Sequence, residues 1–479
     1  MADPSFLGDN IDILVADLLA GDGSNIDIRF SISDLNIQEN IFSQCMSGSV
    51  SVMDGMALID KLPIVGEEFF TIKFRTPESG NIFITKTFAV YNVTDRVKVS
   101  EKLEHYKLNL ISLEGIINTM TSVNQNYMGL RYDEIADKVF QDYISGSQLK
   151  GGPQKVVYMD IPKIKKTLDT DRTSGLKSMT TVGDTPFQVI QKCANLAQSE
   201  DYPDADFVFY EDRDQFNFYP LSFLLEQEPT TDGEYVLGDH GIDETNLKKD
   251  NKFRFNIVSQ FEYNAGPNIL ENSSGGMYGN QIHAFDPILK KRDIIVNNYL
   301  KIQNDKEIPS FKTLDKNNLT SEDSIYSNDT GSSHSQYYIN NIFEKNYEDI
   351  EYMKDRIKEE NDRHLFHHDD AYKSRGRTAI KFSLLNNYTL TIAVGGNSKL
   401  KVGQVINLNI PLSSSLEEDK VKPHSHLFGN SRKNKFLIIS VNHNFIATEG
   451  RYFTMLTLAK DSYFNDINKN YAGKLKRNA

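Results

Sequence analysis

The sequence predicts a mainly β protein with α+β parts: two small antiparallel β-barrels, a small α/β domain and an inserted helical or irregular segment. Short runs in which apolar and polar residues alternate lie near both ends of the chain, and Gly and Pro residues separate them. Alternation with a period of two is typical of strands that bury one face. Helical periodicity is concentrated between these two regions. The order of the patterns therefore defines the predicted architecture.

The stretch from Leu58 to Leu110 forms most of the first predicted barrel, and it has a partial copy near the other end of the chain. An offset of 348 positions aligns four apolar pairs, and an offset of 337 aligns a Val-Gly pair. A longer second loop, residues 412–434, accounts for the difference. Duplication predicts two similar barrels, whereas the alternative is that unrelated meanders share the pattern. The pairs are Phe88 with Phe436, Val93 with Val441, Leu108 with Leu456, Leu110 with Leu458, Val65 with Val402 and Gly66 with Gly403.

The composition narrows the class of protein. A chain of 479 residues with 39% apolar residues is long and apolar enough for three or four packed domains. Its net charge of −13 argues against a protein that grips phosphate backbones, and suits a conduit that nucleic acid passes without sticking. The two cysteines form no disulfide framework, and Cys193 is expected to be a buried structural thiol. We find no secretory signal and no membrane-spanning run, so we expect a soluble protein assembled in a cytoplasm.

The middle of the chain carries two helical stripes, Tyr132–Ile144 and a second one that ends at Leu196. Asp184 or Thr185 is expected to cap the second helix, with Pro186 in its first turn. Two apolar runs that follow are expected to form a hairpin. These elements together predict a small α/β domain.

The later part of the chain is more polar. Residues 312–338 predict a solvent-facing loop, and 339–366 predict a largely exposed helix. Arg377–Leu384 fits a helix or a strand, and Tyr388–Val394 predicts a strand. The predicted segments are an N-terminal arm (1–24), the first barrel (25–113), the α/β domain (114–235), the start of the second barrel region (236–299), an inserted polar loop and helix (300–378), the second barrel (379–465) and a basic tail (466–479).

Few residues of the sequence suggest a catalytic, metal-binding or phosphate-binding site. The cluster His364, His367, His368, Asp369 and Asp370 has the spacing of metal ligands, but its highly charged surroundings favour a solvated helix end. The glycines between Gly275 and Gly279 lack the features of a phosphate-binding loop and predict a hairpin or bulge. No nucleophile motif or paired acid and base is present. The sequence therefore predicts no catalytic, cofactor-binding or metal-binding residues, and no enzyme.

Four stretches resemble the central hub protein of the baseplate of contractile-tailed, T-even-type phages. The strand, turn and strand from Leu390 to Leu408 carries the most specific similarity, and the polar stretch 300–375 departs from the family pattern. The similarity spans roughly residues 25–463. The other three stretches are Leu58–Glu67, the pair Phe207–Glu211 and Phe216–Leu221, and the pair Gly276–Gly279 and Phe285–Pro287.

The resemblance implies a function in a virion. Such hubs are homotrimers in which each chain supplies two barrels that are similar to the tail-tube subunit, so that a pseudo-sixfold ring joins the sixfold tube to a threefold spike. The implied partners are further copies of this chain, the central spike protein, the tail tube protein and baseplate wedge proteins. DNA would pass through the lumen without specific binding, and no membrane insertion or cofactor is implied. The implied location is the tail baseplate.

Two other classes of function remain open. One is the hub of a type VI secretion system or of an extracellular contractile injection system, in which the same fold would do the same mechanical work. The other is a tail-associated cell-wall hydrolase, for which the sequence supplies no paired carboxylates.

Overall fold

The computed structural model describes residues 11–19, 24–61, 68–76, 82–145, 168–175, 177–202, 204–230, 234–237, 256–263, 268–286, 290–298, 336–340, 371–387, 389–409 and 435–461. A thirteen-stranded sheet that contains strands from both ends of the chain is its largest feature. Three smaller sheets accompany it. The described structure is thus mainly β with additional helices, as the sequence predicts.

The first part of the chain supplies seven strands whose inward positions alternate along each strand. In the third strand Leu35 and Ile37 are buried while Gln38 is exposed, which is the alternation expected of a sheet with one buried face. The elements are β1 (Asp12–Leu19), β2 (Asn25–Asp27), a 3-10 turn (Arg29–Ser31), β3 (Ile32–Asn40), β4 (Ser47–Asp54), α1 (Leu58–Lys61), β5 (Phe69–Arg75), β6 (Ile84–Ser100) and β7 (Leu103–Ser112).

The next part forms the predicted mixture of helices and strands. The side chain of Thr185 accepts a hydrogen bond from the Gln188 backbone N–H, and the Gln188 side chain accepts one from the Thr185 N–H, so a capping box starts the helix at Pro186. The elements are α2 (Leu113–Met120), β8 (Val123–Leu130), α3 (Tyr132–Val139) continued by a π-helical turn (Phe140–Ser145), β9 (Leu168–Thr170), β10 (Lys177–Asp184), α4 (Pro186–Leu196), β11 (Phe207–Glu211), β12 (Phe216–Pro220) and α5 (Leu221–Glu226).

The last part contains a second group of strands. The segment that fits either a helix or a strand by its sequence, Arg377–Leu384, is helical and lies within α7. The elements are β13 (Glu234–Leu237), β14 (Ile257–Tyr263), α6 (Ile269–Ser274), β15 (Gly279–Asp286), β16 (Lys291–Asn298), β17 (Gln336–Asn340), α7 (Ala371–Asn387), β18 (Thr389–Gly395), β19 (Val405–Asn409), β20 (Lys435–Ile446) and β21 (Arg451–Ala459).

The large sheet runs in the order β19-β13-β14-β18-β21-β20-β3-β4-β7-β6-β5-β1-β2. An additional pairing of β19 with β20 closes the first six of these strands into a barrel. The other seven strands are those of the first predicted barrel and are called the first barrel below; no pairing among the described residues closes them, and their β3 edge pairs with β20. The two predicted barrels are therefore parts of one continuous sheet.

Three buried clusters form the core. One fills the closed barrel and includes Leu400, Ile438 and Leu456. A second fills the first group of strands, and a third lies between the helices and strands of the α/β part. Tyr452 of β21 belongs to the cluster of the first group, so a side chain from the second barrel completes the core of the first.

Several features differ from the sequence-based expectations. Residues 1–24 are expected to be an arm that docks on a neighbour or on the first barrel; residues 12–19 dock on the first barrel, but as a regular strand, β1, which pairs with β2 and β5. Leu58–Lys61 is a short helix rather than part of a strand, and the backbone N–H groups of Leu58 and Ile59 bond the Asp54 carboxylate at its start.

The region after Asn256 differs as well. Gly276 (φ +79°) follows the end of α6 instead of forming a hairpin turn, since a helix commonly ends at a glycine with positive φ. Gln336–Tyr338, expected in a loop, lie in β17, which pairs with β15 in a separate sheet together with β16. The proposed helix 339–366 beyond Asn340, the His364–Asp370 cluster, the loop 412–434 and the basic tail 466–479 lie outside the described residues.

Candidate functional site: the joint between the two barrels

Strand β20 belongs to both barrels. Its first residues, Lys435–Leu437, pair with β19 and close the second barrel. A bulge between Ile438 and Ser440 then changes the register against β21. Its second half, Ser440–Ile446, pairs antiparallel with residues 34–40 of β3. One strand thus joins the two barrels edge to edge through backbone hydrogen bonds.

The hairpins β6–β7 and β20–β21 share one register at the offset of 348 positions from Ala89 to Thr94; beyond Thr94, β6 has two further irregularities that the pairing of β20 with β21 lacks. In each hairpin a bulge lies between two apolar pairs, after Val90 in one and after Ile438 in the other. The adjoining strands β5 and β19 also match, at an offset of 336 rather than 337. The equivalent pairs are Val90–Leu110 with Ile438–Leu458, Val93–Leu108 with Val441–Leu456, and Phe70–Phe88 with Ile406–Phe436.

The predicted repeat residues lie in two different cores. Val65 and Gly66 lie outside the described residues. Val93 is half-buried against the core cluster of the first barrel. That cluster contains Phe88, Leu108 and Leu110, and the cluster of the second barrel contains Val402, Phe436, Val441, Leu456 and Leu458.

Gly403 is the repeat residue that contacts a third part of the chain. Its φ of +79° lies in the left-handed region, and its N–H donates to Ile438 O at 2.9 Å. A Cβ at this position would lie 2.6 Å from the hydroxyl oxygen of Tyr210. Tyr210 belongs to β11, so the glycine lets the α/β hairpin approach the second barrel closely.

The turn of the β11–β12 hairpin reaches the first barrel through Glu211. Its Oε1 lies 3.1 Å from Lys86 Nζ, and both side chains are buried. Its Oε2 accepts hydrogen bonds from the Met46 N–H at 2.8 Å and from Ser112 Oγ at 2.5 Å. A buried carboxylate with a cation and two further donors is well compensated for its lost hydration. Glu211 therefore connects β4, β6 and β7.

The next two residues reach the second barrel. Asp212 Oδ1 accepts the N–H groups of Asp214 and Gln215, which shapes the turn, and Asp212 Oδ2 lies 3.4 Å from Lys401 Nζ. Arg213 donates to the backbone oxygen of Ser398. The hairpin turn is therefore a polar segment that contacts both barrels.

Glu39 of β3 lies beside this hairpin turn and is fully buried. Its Oε2 accepts the Val402 N–H at 3.4 Å, and its Oε1 has no hydrogen-bond partner among the described residues. Burial, reinforced by the charge of Asp212, raises the pKa of Glu39 to about 8. The carboxyl group is therefore mostly protonated at neutral pH.

A second polar contact crosses the joint. His443 Nδ1 lies 2.8 Å from the hydroxyl oxygen of Tyr452, and the ring of Phe74 meets both rings edge-on. Burial, with Arg213 as a second cause, lowers the pKa of His443 to about 3. The imidazole is therefore neutral at pH 7, and it packs as an aromatic ring in the joint.

Helix α7, which precedes β18, is connected to the α/β part by buried charges. Lys381 Nζ lies 2.9 Å from Asp204 and 3.0 Å from Asp206, and Arg377 lies 3.1 Å from Asp204. Burial lowers the pKa of Lys381, but the two carboxylates outweigh it and raise the pKa above its ordinary value. The cluster fixes the position of α7 through charges that have lost their hydration.

The contacts of the joint connect the first barrel, the second barrel and the α/β part of the chain. Among the described residues no group of three or more His, Cys, Asp or Glu side chains could hold a metal ion. Within the same part of the chain, no helix has the length and hydropathy to cross a bilayer. The charged residues of the joint are not among the residues predicted from the sequence, although their inward positions in the strands carried a signal.

Comparisons with known proteins show similarity of fold only. No family model matches the chain, and no curated protein matches it either. A prophage MuSo2 43 kDa tail protein from Shewanella oneidensis is 9% identical, with a TM-score of 0.49 over 94% of this chain and 99% of that chain. An E. coli component of the type VI secretion system is 9% identical, with a TM-score of 0.42 over 96% and 79% of the two chains. The chain shares the fold of a tail protein from Neisseria meningitidis MC58, with a TM-score of 0.51 at 10% identity over 93% of this chain and 96% of that chain.

Proposed function

We propose that this chain is a structural hub of a contractile tail, in which three copies form a ring of six barrels. The observation that carries the proposal is the equal register of the two hairpins, β6–β7 and β20–β21, within one chain. A chain with two equivalent barrels presents a sixfold set of similar surfaces when three copies assemble. Such a ring joins a sixfold tube to a threefold spike, which is the role that the family resemblance implies.

The proposed partners follow from this geometry. One face of the ring contacts the tail tube protein and the other contacts the central spike protein, while baseplate wedge proteins dock around it in the virion tail. The net charge of −13 suits a lumen through which DNA passes without specific binding. We propose a mechanical rather than an enzymatic role, because the buried charges of the joint are engaged in holding barrels together.

The fold likeness to tail proteins supports this proposal over a catalytic one. The rigid joint suits a part that must bear load during tail contraction, since backbone pairing, ion pairs and core packing all cross it. Hubs of related injection machines would need the same geometry. The phage hub is the version that the sequence resemblance favours.

The test is the absolute mass of the purified chain in solution, measured by light scattering over a range of concentrations. We expect about three times 54.5 kDa, alone or after addition of a spike protein. Class averages of the particles by electron microscopy should then show a ring of six similar densities. A monomer or dimer that persists with every candidate spike would overturn the hub proposal. A peptidoglycan-clearing assay on the same sample would detect hydrolase activity.

A further inference from the structure

The joint made by β20 has a counterpart in the first barrel. The strands β3-β4-β7-β6-β5 and β14-β18-β21-β20-β19 occur in the same order in the sheet. Their outer strands also share an irregularity, between Ile32 and Asp34 in β3 and between Val258 and Gln260 in β14. Strand β6 therefore corresponds to β20, and β14 corresponds to β3.

The second half of β6 is paired on one side only in the described part of the chain. Strand β5 pairs with β6 as far as Ala89, and one further hydrogen bond joins the Val90 N–H to Glu68 O. Beyond that point β7 continues along one edge. No described strand pairs with the other edge at residues 92–94 or 97–99. In β20 the equivalent edge is occupied by β3.

Three apolar side chains of this stretch are exposed, beside the exposed charged residues Asp95, Arg96 and Lys98. Val97 and Val99 are 57% and 54% exposed, and Tyr91 is 55% exposed. In β20 the equivalent half is largely buried, with His443 1% exposed under the cover of β3. Long exposed edges with β-branched residues pair readily with other strands, and most proteins protect them with charges or prolines. The second half of β6 thus combines exposed β-branched side chains with an edge along which no strand lies in the described part of the chain.

We propose that the second half of β6 pairs antiparallel with β14 of a second copy of this chain, in the way that β20 pairs with β3 inside one copy. The proposal rests on the hub function and names the surface through which copies would join. Each copy has one β6 edge and one β14 edge, so the contact is head-to-tail, and it gives a ring when the rotation between successive copies is the 120° that the proposed threefold hub requires. Joints within a chain and joints between chains then alternate around that ring.

The internal joint also gives the register of the new contact. Asn444 faces Asn36 in the β20–β3 joint. Val97 takes the place of Asn444, because it faces His105 of β7 as Asn444 faces the equivalent residue of β21. Glu262 takes the place of Asn36 in β14. Val97 of one copy should therefore face Glu262 of the next.

The properties of β14 suit this contact. The described pairing of β13 with β14 extends to Val258, and the side chains of Gln260, Glu262 and Tyr263 are exposed. The stretch Gln260–Tyr263 carries one acid, whereas the stretch Asp95–Lys98 of β6 carries one acid and two bases. The two segments therefore bring opposite net charge together, which favours their association over that of two like edges.

A disulfide cross-link tests the register. Val97→Cys chains and Glu262→Cys chains, each in a Cys45→Ser background, are mixed and oxidised under mild conditions. Facing residues of an antiparallel pair lie at a separation that a disulfide spans. We expect a linked dimer in the mixture only, and a chain with both substitutions should give linked species up to a trimer. Val182→Cys, on an exposed strand away from the contact, mixed with Glu262→Cys is the matched control and should give no link.

A second variant measures assembly without cross-linking. Replacing Val97 and Val99 together by Asp should shift the trimer to a folded monomer in light scattering, whereas Val182→Asp should leave the trimer intact. A trimer that forms with no Val97–Glu262 link, or that survives the double Asp substitution, would overturn this pairing and leave the hub proposal standing. A wild-type chain that forms no oligomer with any spike would overturn both.

Discussion

Lys86 Nζ lies 3.1 Å from Glu211 Oε1, and this buried ion pair ties the first barrel to the turn of the α/β hairpin. The same turn reaches the second barrel through Asp212 and Arg213. The polar turn is therefore held between two apolar cores, where an unpaired charge would be costly. The position of the hairpin therefore depends on a partner for each charged side chain of its turn.

Removal of one partner of this ion pair should be strongly destabilising. Lys86→Met leaves Glu211 buried without its cation, and we expect a loss of about 3–5 kcal/mol in the free energy of unfolding. The double variant Lys86→Met with Glu211→Gln should recover part of this loss. Urea denaturation measures both. Glu200→Gln, which breaks a solvent-exposed pair with Arg172, is the control and should cost less than about 1 kcal/mol.

Gly403 should tolerate no side chain, for two separable reasons. Gly403→Ala adds a Cβ in the left-handed region, and it places that Cβ 2.6 Å from the Tyr210 hydroxyl oxygen. Gly450 has a similar φ of +61° and no atom near its missing Cβ, so Gly450→Ala reports the backbone cost alone, about 1 kcal/mol. Gly403→Ala should cost clearly more in thermal or urea unfolding. Adding Tyr210→Phe to it should restore part of the difference, and no restoration would contradict the close contact.

The alternation of apolar and polar residues predicted most of the strands, and its phase also marks the charged residues that point inward. Glu39 follows Leu35 and Ile37 at the inward positions of β3, and Lys86 stands between Ile84 and Phe88 in β6. A charged residue at an inward position implies a buried partner. The sequence could not identify that partner, because Glu211 is 125 positions from Lys86 and only the fold brings them together.

The joint between the barrels was harder to predict. Pairing of β20 with β3 joins residues about 400 positions apart, and an alternating pattern does not specify which edges meet. The pairing of β1 with β5 was not predicted for the same reason: the apolar run of the expected N-terminal arm does not specify which strand it pairs with. The residue pattern of a strand shows which of its faces is buried, whereas the partner of each edge depends on the order of strands in the whole sheet.

The buried carboxyl group of Glu39 should make stability depend on pH. Its pKa is about 8 in the folded chain and has an ordinary value of 4.5 when exposed, so the folded state holds one proton more between these values. Stability is therefore lost as the pH rises from 4.5 to 8, by at most about 1.4 kcal/mol per pH unit. Glu39→Gln keeps the shape and removes the titration. The free energy of unfolding of wild type minus that of Glu39→Gln should fall between pH 5 and pH 8, and a constant difference would contradict the assignment.

The capping box at the start of α4 gives a smaller and more local effect. Thr185→Ala removes the side-chain oxygen that accepts the Gln188 N–H, so we expect a loss of about 1 kcal/mol in the free energy of unfolding. Thr185→Ser keeps the oxygen and should stay within a few tenths of a kcal/mol of wild type. Because Phe187 and Ile190 of α4 lie in the α/β core rather than in either barrel, neither variant should change the mass of the proposed trimer. Equal losses for Ala and Ser would show that the hydroxyl contributes nothing to the helix start.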